Sequence, residues 1–215
     1  MATNPQRLTR LSGRCNSLVE PDPREQYFAL PANCGTFFAM LPDRFETARL
    51  ILRPIAPDDA PAILKSYSQD LDVVRFLTWR PHQTAAETEA YIARCIAAPT
   101  GQSRTYVLTD RQHRTLLGAF DLRRPEPHRV DCGYVLAGAH WGRGLMTEAL
   151  VEISAWALRQ GGIWRVGAVC DVENLASARV MEKAGLQREG ILHRWIIHPN
   201  RAPDPRDCFS YALVR

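Results

Sequence analysis

Residues 129–157, RVDCGYVLAGAHWGRGLMTEALVEISAWA, read as a β-rich run, a turn with two glycines and an amphipathic helix in direct succession. No other stretch constrains the fold as much. Leu145, Ala149, Leu150, Ile153, Trp156 and Ala157 form one apolar stripe at helical spacing. A strand that runs straight into such a helix must lay it against a sheet. The chain repeats the pattern from Phe45 onward. RLILRPI (49–55) is a strand closed by proline, and APDDAPAILKSYSQ is a helix with Asp58 or Asp59 as its N-cap. TAAETEAYIARCIAA (84–98) opens on a capping box, Thr84 with Glu87. TYVLTD (105–110) and TLLGAFDL (115–122) are two antiparallel strands around a polar turn, and RVDCGYVLA (129–137) is a third. WRVGAVCDV (164–172) is a buried strand. NLASARVMEKAG is a helix with Asn174 as N-cap and Gly185 past its end, and two final strands flank a Pro-rich loop. The order predicts a single α/β or α+β domain with a mixed sheet.

Residues 1–39 have scattered Pro, Asn, Gly and Arg and no sustained period, which predicts a poorly ordered arm. Its Arg and Ser content faintly suggests a transit peptide, opposed by Glu20, Asp22 and Glu25. Met40 stands just before the patterned region and is an alternative start of translation. At 46% apolar, 23% charged and +4 net, the chain is expected to be a globular protein with neither a membrane nor nucleic acid as its partner. Six separated cysteines with no C-x-x-C pair argue against a metal site. They read as reduced thiols of a cytoplasmic protein.

Gly142-Arg143-Gly144 follows a strand and opens a helix, so the N–H groups of residues 141–146 can converge on an anion. It is neither a Walker loop nor a Rossmann fingerprint, and by itself it is more often just a tight turn. Asn174 by itself is a cap, and Ser177 a surface residue.

Together, WGRGLMTEA and NLASARVMEKAGL resemble the paired motifs of the GNAT superfamily of acyl-CoA N-acyltransferases, and most closely its ribosomal-protein N-terminal acetyltransferase branch. TARLILRPI and RDCFSYALVR resemble the family's first and last strands. The resemblance runs from near Phe45 to Arg215. It implies one GNAT domain over 40–215, with a mixed, mostly antiparallel sheet flanked by helices and acetyl-CoA as acyl donor. It places the pyrophosphate on Trp141, Gly142, Arg143, Gly144, Leu145 and Met146, and the pantetheine arm along Tyr134 to Ala137. A backbone N–H near Val135 or Leu136 would polarise the thioester carbonyl. Asn174 would bind the pantetheine amides, and Ser177 would approach the sulfur.

The implied reaction is direct attack by a neutral amine in a ternary complex, with a carboxylate or a water chain as base. Asp131, just before Gly-Tyr, is the first candidate and equally a solvated strand-edge carboxylate; Asp121 is the second. Three positions depart from the family. Met181 stands where many members carry an acid Tyr, Met146 replaces a small residue in the phosphate turn, and Leu186 replaces Phe. FLTWRPHQ (76–83) and the HRWIIHPNRAPDPRD loop are candidate acceptor-site walls, with Trp79, His82, Arg194, Trp195 and His198 as their aromatic and cationic groups, and simple packing explains most of these equally well. The expected acceptor is a protein or peptide α-amine. A small amine (polyamine, amino acid or antibiotic) and a non-catalytic acyl-CoA sensor are the alternatives, and a homodimer is left open.

Overall fold

Strand register organises the molecule. The computed structural model describes residues 41–99 and 101–215, so the expected arm over 1–39 lies outside the described residues. The strands are β1 (Phe45–Glu46), β2 (Leu50–Pro54), β3 (Ser103–Asp110), β4 (Leu116–Glu126), β5 (Arg129–Leu136), β6 (Arg165–Asp171), β7 (Gln187–Ile197) and β8 (Pro205–Val214). They form one sheet in the order β1-β2-β3-β4-β5-β6-β8-β7. Every pairing is antiparallel except β5 with β6. That pair is parallel because helix α4 (Leu145–Arg159) crosses over between the two strands. The expected mixed, mostly antiparallel sheet flanked by helices is what the chain forms.

Alternation along the strands sorts two cores. On one face Leu50, Leu52, Phe120, Leu122, Val130 and Cys132 pack against α4 and α5 (Leu175–Lys183). On the other, Val107 and Ala119 meet Ile63, Tyr67, Val73 and Ile92. These last four come from the helical run α1 (Ala60–Ile63) to α2 (Leu71–Val74), and from α3 (Ala85–Ala97). Five of the six stripe residues of α4 are buried; Trp156 is partly buried and meets Phe45 edge-on at 5.4 Å.

Helix entries differ in detail from the sequence expectations. Asp59 is not an N-cap with a bonded side chain. Its carboxylate reaches back to the Ala56 N–H at 2.8 Å and pairs with Arg53 at 2.6 Å. The expected helix is broken into a 3₁₀ turn (Pro57–Asp59), α1, a π turn (Leu64–Ser68) and α2. Thr84 caps Glu87 N–H at 3.3 Å, but Glu87 reaches past Thr84 to the Gln83 N–H at 2.7 Å. Asn174 caps α5 through Ser177 N–H at 3.1 Å, and Gly185 follows at φ +91°.

The ladder between β5 and β6 is short. It runs from Arg129 opposite Arg165 to Cys132 opposite Ala168 and then stops. Gly133–Leu136 stay paired to β4, and Val169–Asp171 stay paired to β8. The sheet therefore opens between the C-terminal ends of β5 and β6. Beside this opening, β4 and β5 come very close: a Cβ on Gly118 would fall 2.2 Å from the Val135 carbonyl oxygen. Only glycine permits that approach.

Candidate active site

The opening joins two clefts, one of about 500 Å³ and one of about 460 Å³. Both are lined by Phe76, Leu77, Tyr134, Val135, Asn174 and Ser177, which therefore mark their junction.

The first cleft runs from the junction to the start of α4. Gly142 and Gly144 adopt φ of +73° and +72°, the left-handed region that a Cβ disfavours. The N–H groups of residues 142–147 have no acceptor among the described residues. They sit at the positive end of a 15-residue helix, which makes the turn an anion seat. Met146 does not obstruct it: the residue is 4% exposed and its side chain belongs to the core. Arg143 contributes backbone, since its guanidinium turns to His140 Nδ1 at 3.1 Å. Arg179 and Lys183 of α5 and Arg75 add positive charge to the lining, and Asp72 a negative one.

The turn is anchored from behind. Arg49 donates through Nη1 to the Arg143 carbonyl at 3.0 Å and through Nε to Glu148 Oε2 at 2.6 Å. Thr47 and the Arg49 N–H also donate to Glu148. Burial pushes the Glu148 pKa up, but these hydrogen bonds outweigh it and hold the carboxylate below its ordinary range.

Backbone direction along β5 follows from two contacts. Ala137 N–H donates to Leu117 O on β4 at 2.8 Å, and Leu136 O accepts the Trp141 indole N–H at 2.7 Å. Main-chain groups of alternate residues point the same way. Val135 N–H thus faces β4, while Tyr134 and Leu136 N–H face the opening. Of the two donors named for a thioester carbonyl, register selects Leu136.

The second cleft lies on the other side of the junction. Asp121 lines it, its Oδ1 accepting from Ser103 at 3.4 Å and Thr105 at 3.2 Å, with Arg123 at 3.3 Å from Oδ2. Trp79 and Tyr91, 5.9 Å apart between centroids, form an aromatic wall, and His82 stacks behind them. Opposite stand Asp171 and His198, with His198 Nε2 at 3.8 Å from Asp171 Oδ2. Burial lowers the His198 pKa against the pull of Asp171. Burial raises the Asp171 pKa, but the Arg206 guanidinium and the Glu173 N–H together outweigh it and hold the carboxylate below its usual range.

Most of the residues singled out in the sequence come together here. Tyr134, Val135, Leu136, Trp141, Gly142, Gly144, Leu145, Met146, Asn174 and Ser177 line the first cleft, and Trp79 and His198 the second. Asp131 lines neither: it stands in the closed part of the ladder, opposite Arg123 on β4 and Gly167 on β6. Arg194 also lines neither. It lies on the outer strand β7, its N–H on Asp207 at 2.9 Å and its guanidinium on Pro205 O at 3.2 Å. Phe76 and Leu77 belong to the segment 76–83 expected to wall the acceptor site, and they line the second cleft as well as the junction. Sequence reasoning passed over Gly118 and the α5 cations Arg179 and Lys183. Only the last pair carried a signal, a basic residue one helical turn from another on the same helix.

A mixed sheet that opens after one parallel pairing, with an anion seat at the following helix, suits a ligand that carries phosphate. The model of the acetyltransferase (GNAT) domain matches residues 49–187, and the chain belongs to that family. It is 29% identical over 174 residues to the uncharacterized N-acetyltransferase YoaA of Bacillus subtilis (strain 168), covering 79% of this chain and 96% of that protein. The fold matches a GNAT-family acetyltransferase from Bacillus anthracis at a TM-score of 0.70 and 24% identity, covering 80% of this chain and 98% of the other. It also matches RimL, the ribosomal L7/L12 alpha-N-protein acetyltransferase in complex with coenzyme A, at a TM-score of 0.66 and 22% identity, covering 81% and 97%. The activity class is acetyl-CoA-dependent acetyl transfer.

Proposed function

We propose that the acetyl group passes directly to a primary amine in a ternary complex, and that the acceptor is the α-amine of a protein or peptide. The observation that carries this is the junction: the two clefts meet at Tyr134, Val135, Asn174 and Ser177. A donor in one and an amine in the other face each other with no covalent carrier between them.

The cradle fits acetyl-CoA, which supplies an acyl thioester when bound. The N–H groups of residues 142–147 receive phosphate oxygens, and the backbone of Tyr134 and Leu136 pairs with the pantetheine amides as an added strand would. Leu136 N–H donates to the developing oxyanion. Ser177 donates to the sulfur. On the acceptor side, Asp121 holds the incoming ammonium and takes its proton directly or through water. Its position in the cleft supports Asp121 over Asp131.

The peptide acceptor rests on the motif resemblance to the ribosomal-protein branch and on the size of the second cleft. The test is thiol release from acetyl-CoA against peptides with varied first residues and a panel of small amines. Turnover confined to peptides, blocked by prior N-terminal acetylation, is the expected result. Turnover on small amines alone overturns the acceptor class. Thermal stabilisation by acetyl-CoA with no release on any acceptor overturns catalysis altogether.

A further inference from the structure

Ser177 has a partner whose side chain no step above uses. The Tyr134 hydroxyl lies 2.9 Å from Ser177 Oγ and 3.3 Å from the Ser177 carbonyl oxygen. Among the six junction residues, Tyr134 and Ser177 are the only O–H groups. The phenol is held in place by its ring, which packs against Phe120 at 6.0 Å. The Cys170 thiol is also near Ser177; burial pushes it up to about 12, and Ser177 draws it partly back. That thiol is therefore neutral and a weak acceptor.

Either oxygen can donate across 2.9 Å, and the phenol, the better donor, has both Ser177 Oγ and the more distant Ser177 carbonyl before it; when it donates to Oγ, the serine hydrogen is left to point away from the phenol. We infer that Tyr134 is a positioning residue: it donates to Ser177 Oγ and so aims and strengthens the serine hydrogen for the sulfur of the departing coenzyme A. Hydrogen bonds in series polarise one another, so the serine donates more strongly than it would alone. No proton leaves Tyr134. The C–S bond breaks as the amine nitrogen bonds to the acyl carbon, the electron pair stays on sulfur, and the nitrogen's surplus proton leaves on the acceptor side. The hydrogen-bonded thiolate takes a proton from solvent on release.

This inference rests on the assignment of Ser177 to the sulfur, and one measurement separates the two. Coenzyme A bound to the protein is titrated through the ultraviolet absorbance of its thiolate, with wild type, Ser177→Ala, Tyr134→Phe and the double variant compared. Donation to sulfur lowers the apparent pKa of the bound thiol. Ser177→Ala is expected to raise it, Tyr134→Phe to raise it by part of that amount, and the double variant no further than Ser177→Ala. In single-turnover assays Tyr134→Phe lowers the acetyl-transfer rate roughly three- to tenfold with coenzyme A affinity unchanged. An unshifted thiol in Ser177→Ala overturns the sulfur assignment and this inference with it. A shift in Ser177→Ala with none in Tyr134→Phe, or additive shifts, overturns the inference alone. If Tyr134→Phe does not fold, a fluorinated tyrosine placed at 134 keeps the hydroxyl and makes it a stronger donor. It is then expected to lower the bound-thiol pKa, and no change or a rise overturns the inference.

Discussion

Gly144 and Gly118 constrain the site in different ways. Gly144 needs its left-handed φ of +72°, and a Cβ added there would meet nothing nearer than the Arg49 guanidinium at 3.8 Å. Its restriction is conformational and electrostatic rather than steric. Gly144→Asp places a carboxylate among N–H groups that seat a phosphate, so acetyl-CoA affinity by titration calorimetry should fall more than tenfold. Gly144→Ala, which bears only the backbone strain of about 1–2 kcal/mol, should fall less. Unchanged affinity in Gly144→Asp means the phosphates sit elsewhere. Gly118 is a steric case, because a Cβ 2.2 Å from a carbonyl oxygen forces β4 and β5 apart. Gly118→Ala should cost about 1–3 kcal/mol of stability and raise the KM for acetyl-CoA by displacing Val135 and Leu136. A variant with wild-type denaturation and KM would show that the strands tolerate the shift. Gly144 was visible in the sequence because its turn abuts a helix start. Gly118 was not, because nothing local distinguishes a glycine that meets a distant carbonyl from one that merely interrupts a strand.

The start of α4 works as an element because it is tied to the turn between β1 and β2. Glu148 collects donors from Thr47, the Arg49 backbone and the Arg49 side chain, and the same guanidinium holds the Arg143 carbonyl. This gives the Glu of the WGRGLMTEA motif its purpose: it fixes the angle at which the phosphate turn leaves the sheet. Glu148→Gln keeps the shape but removes the charge, and should cost about 1.5–3 kcal/mol in chemical denaturation. It should also weaken acetyl-CoA binding, since the turn loses its brace. Loss of stability with unaltered binding would separate the brace from the seat. Other elements were legible to different degrees. The caps at Asn174 and Thr84 and the C-terminal glycine at 185 are local signals and read correctly. Asp59 did not cap its helix because Arg53, six residues earlier on a strand, drew its carboxylate back across the turn.

Across the whole molecule, stability should depend on pH with one sign. His82 and His198 are buried and their pKa values are lowered, chiefly by desolvation, from an ordinary 6.5. Asp171 and Glu148 are lowered from 3.8 and 4.5, their hydrogen bonds overcoming desolvation. Each group binds protons more readily unfolded than folded, so each stabilises the fold above its unfolded pKa and loses that contribution as pH falls. The melting temperature should hold near neutrality, decline as pH drops through about 6.5 with the histidines, and decline faster below about 4.5 with the carboxylates. Scanning calorimetry from pH 8 to 4 checks this. A melting temperature that stays level between pH 7 and 5 would show that the two histidines charge freely in the folded state.

Local features were the ones the amino-acid order settled alone. A strand period of 2, a helix period of 3.6, two glycines before a helix and an asparagine cap are properties of short windows, and each needs only its neighbours to be satisfied. They were enough for the main succession of strands and helices, the glycine turn before α4 and the cap of α5 at Asn174. Tertiary packing set where the β5–β6 ladder stops, one residue past Asp131. That end point leaves Asp131 in the closed ladder, faces Leu136 N–H rather than Val135 N–H to the opening, and puts Asp121, His198 and Trp79 around one cleft. Packing also sends Met146, which the motif left unexplained, into the core. Register and divergence of strands are set by the whole sheet and the helices packed on both faces. No window of the chain contains the contacts that balance to fix them.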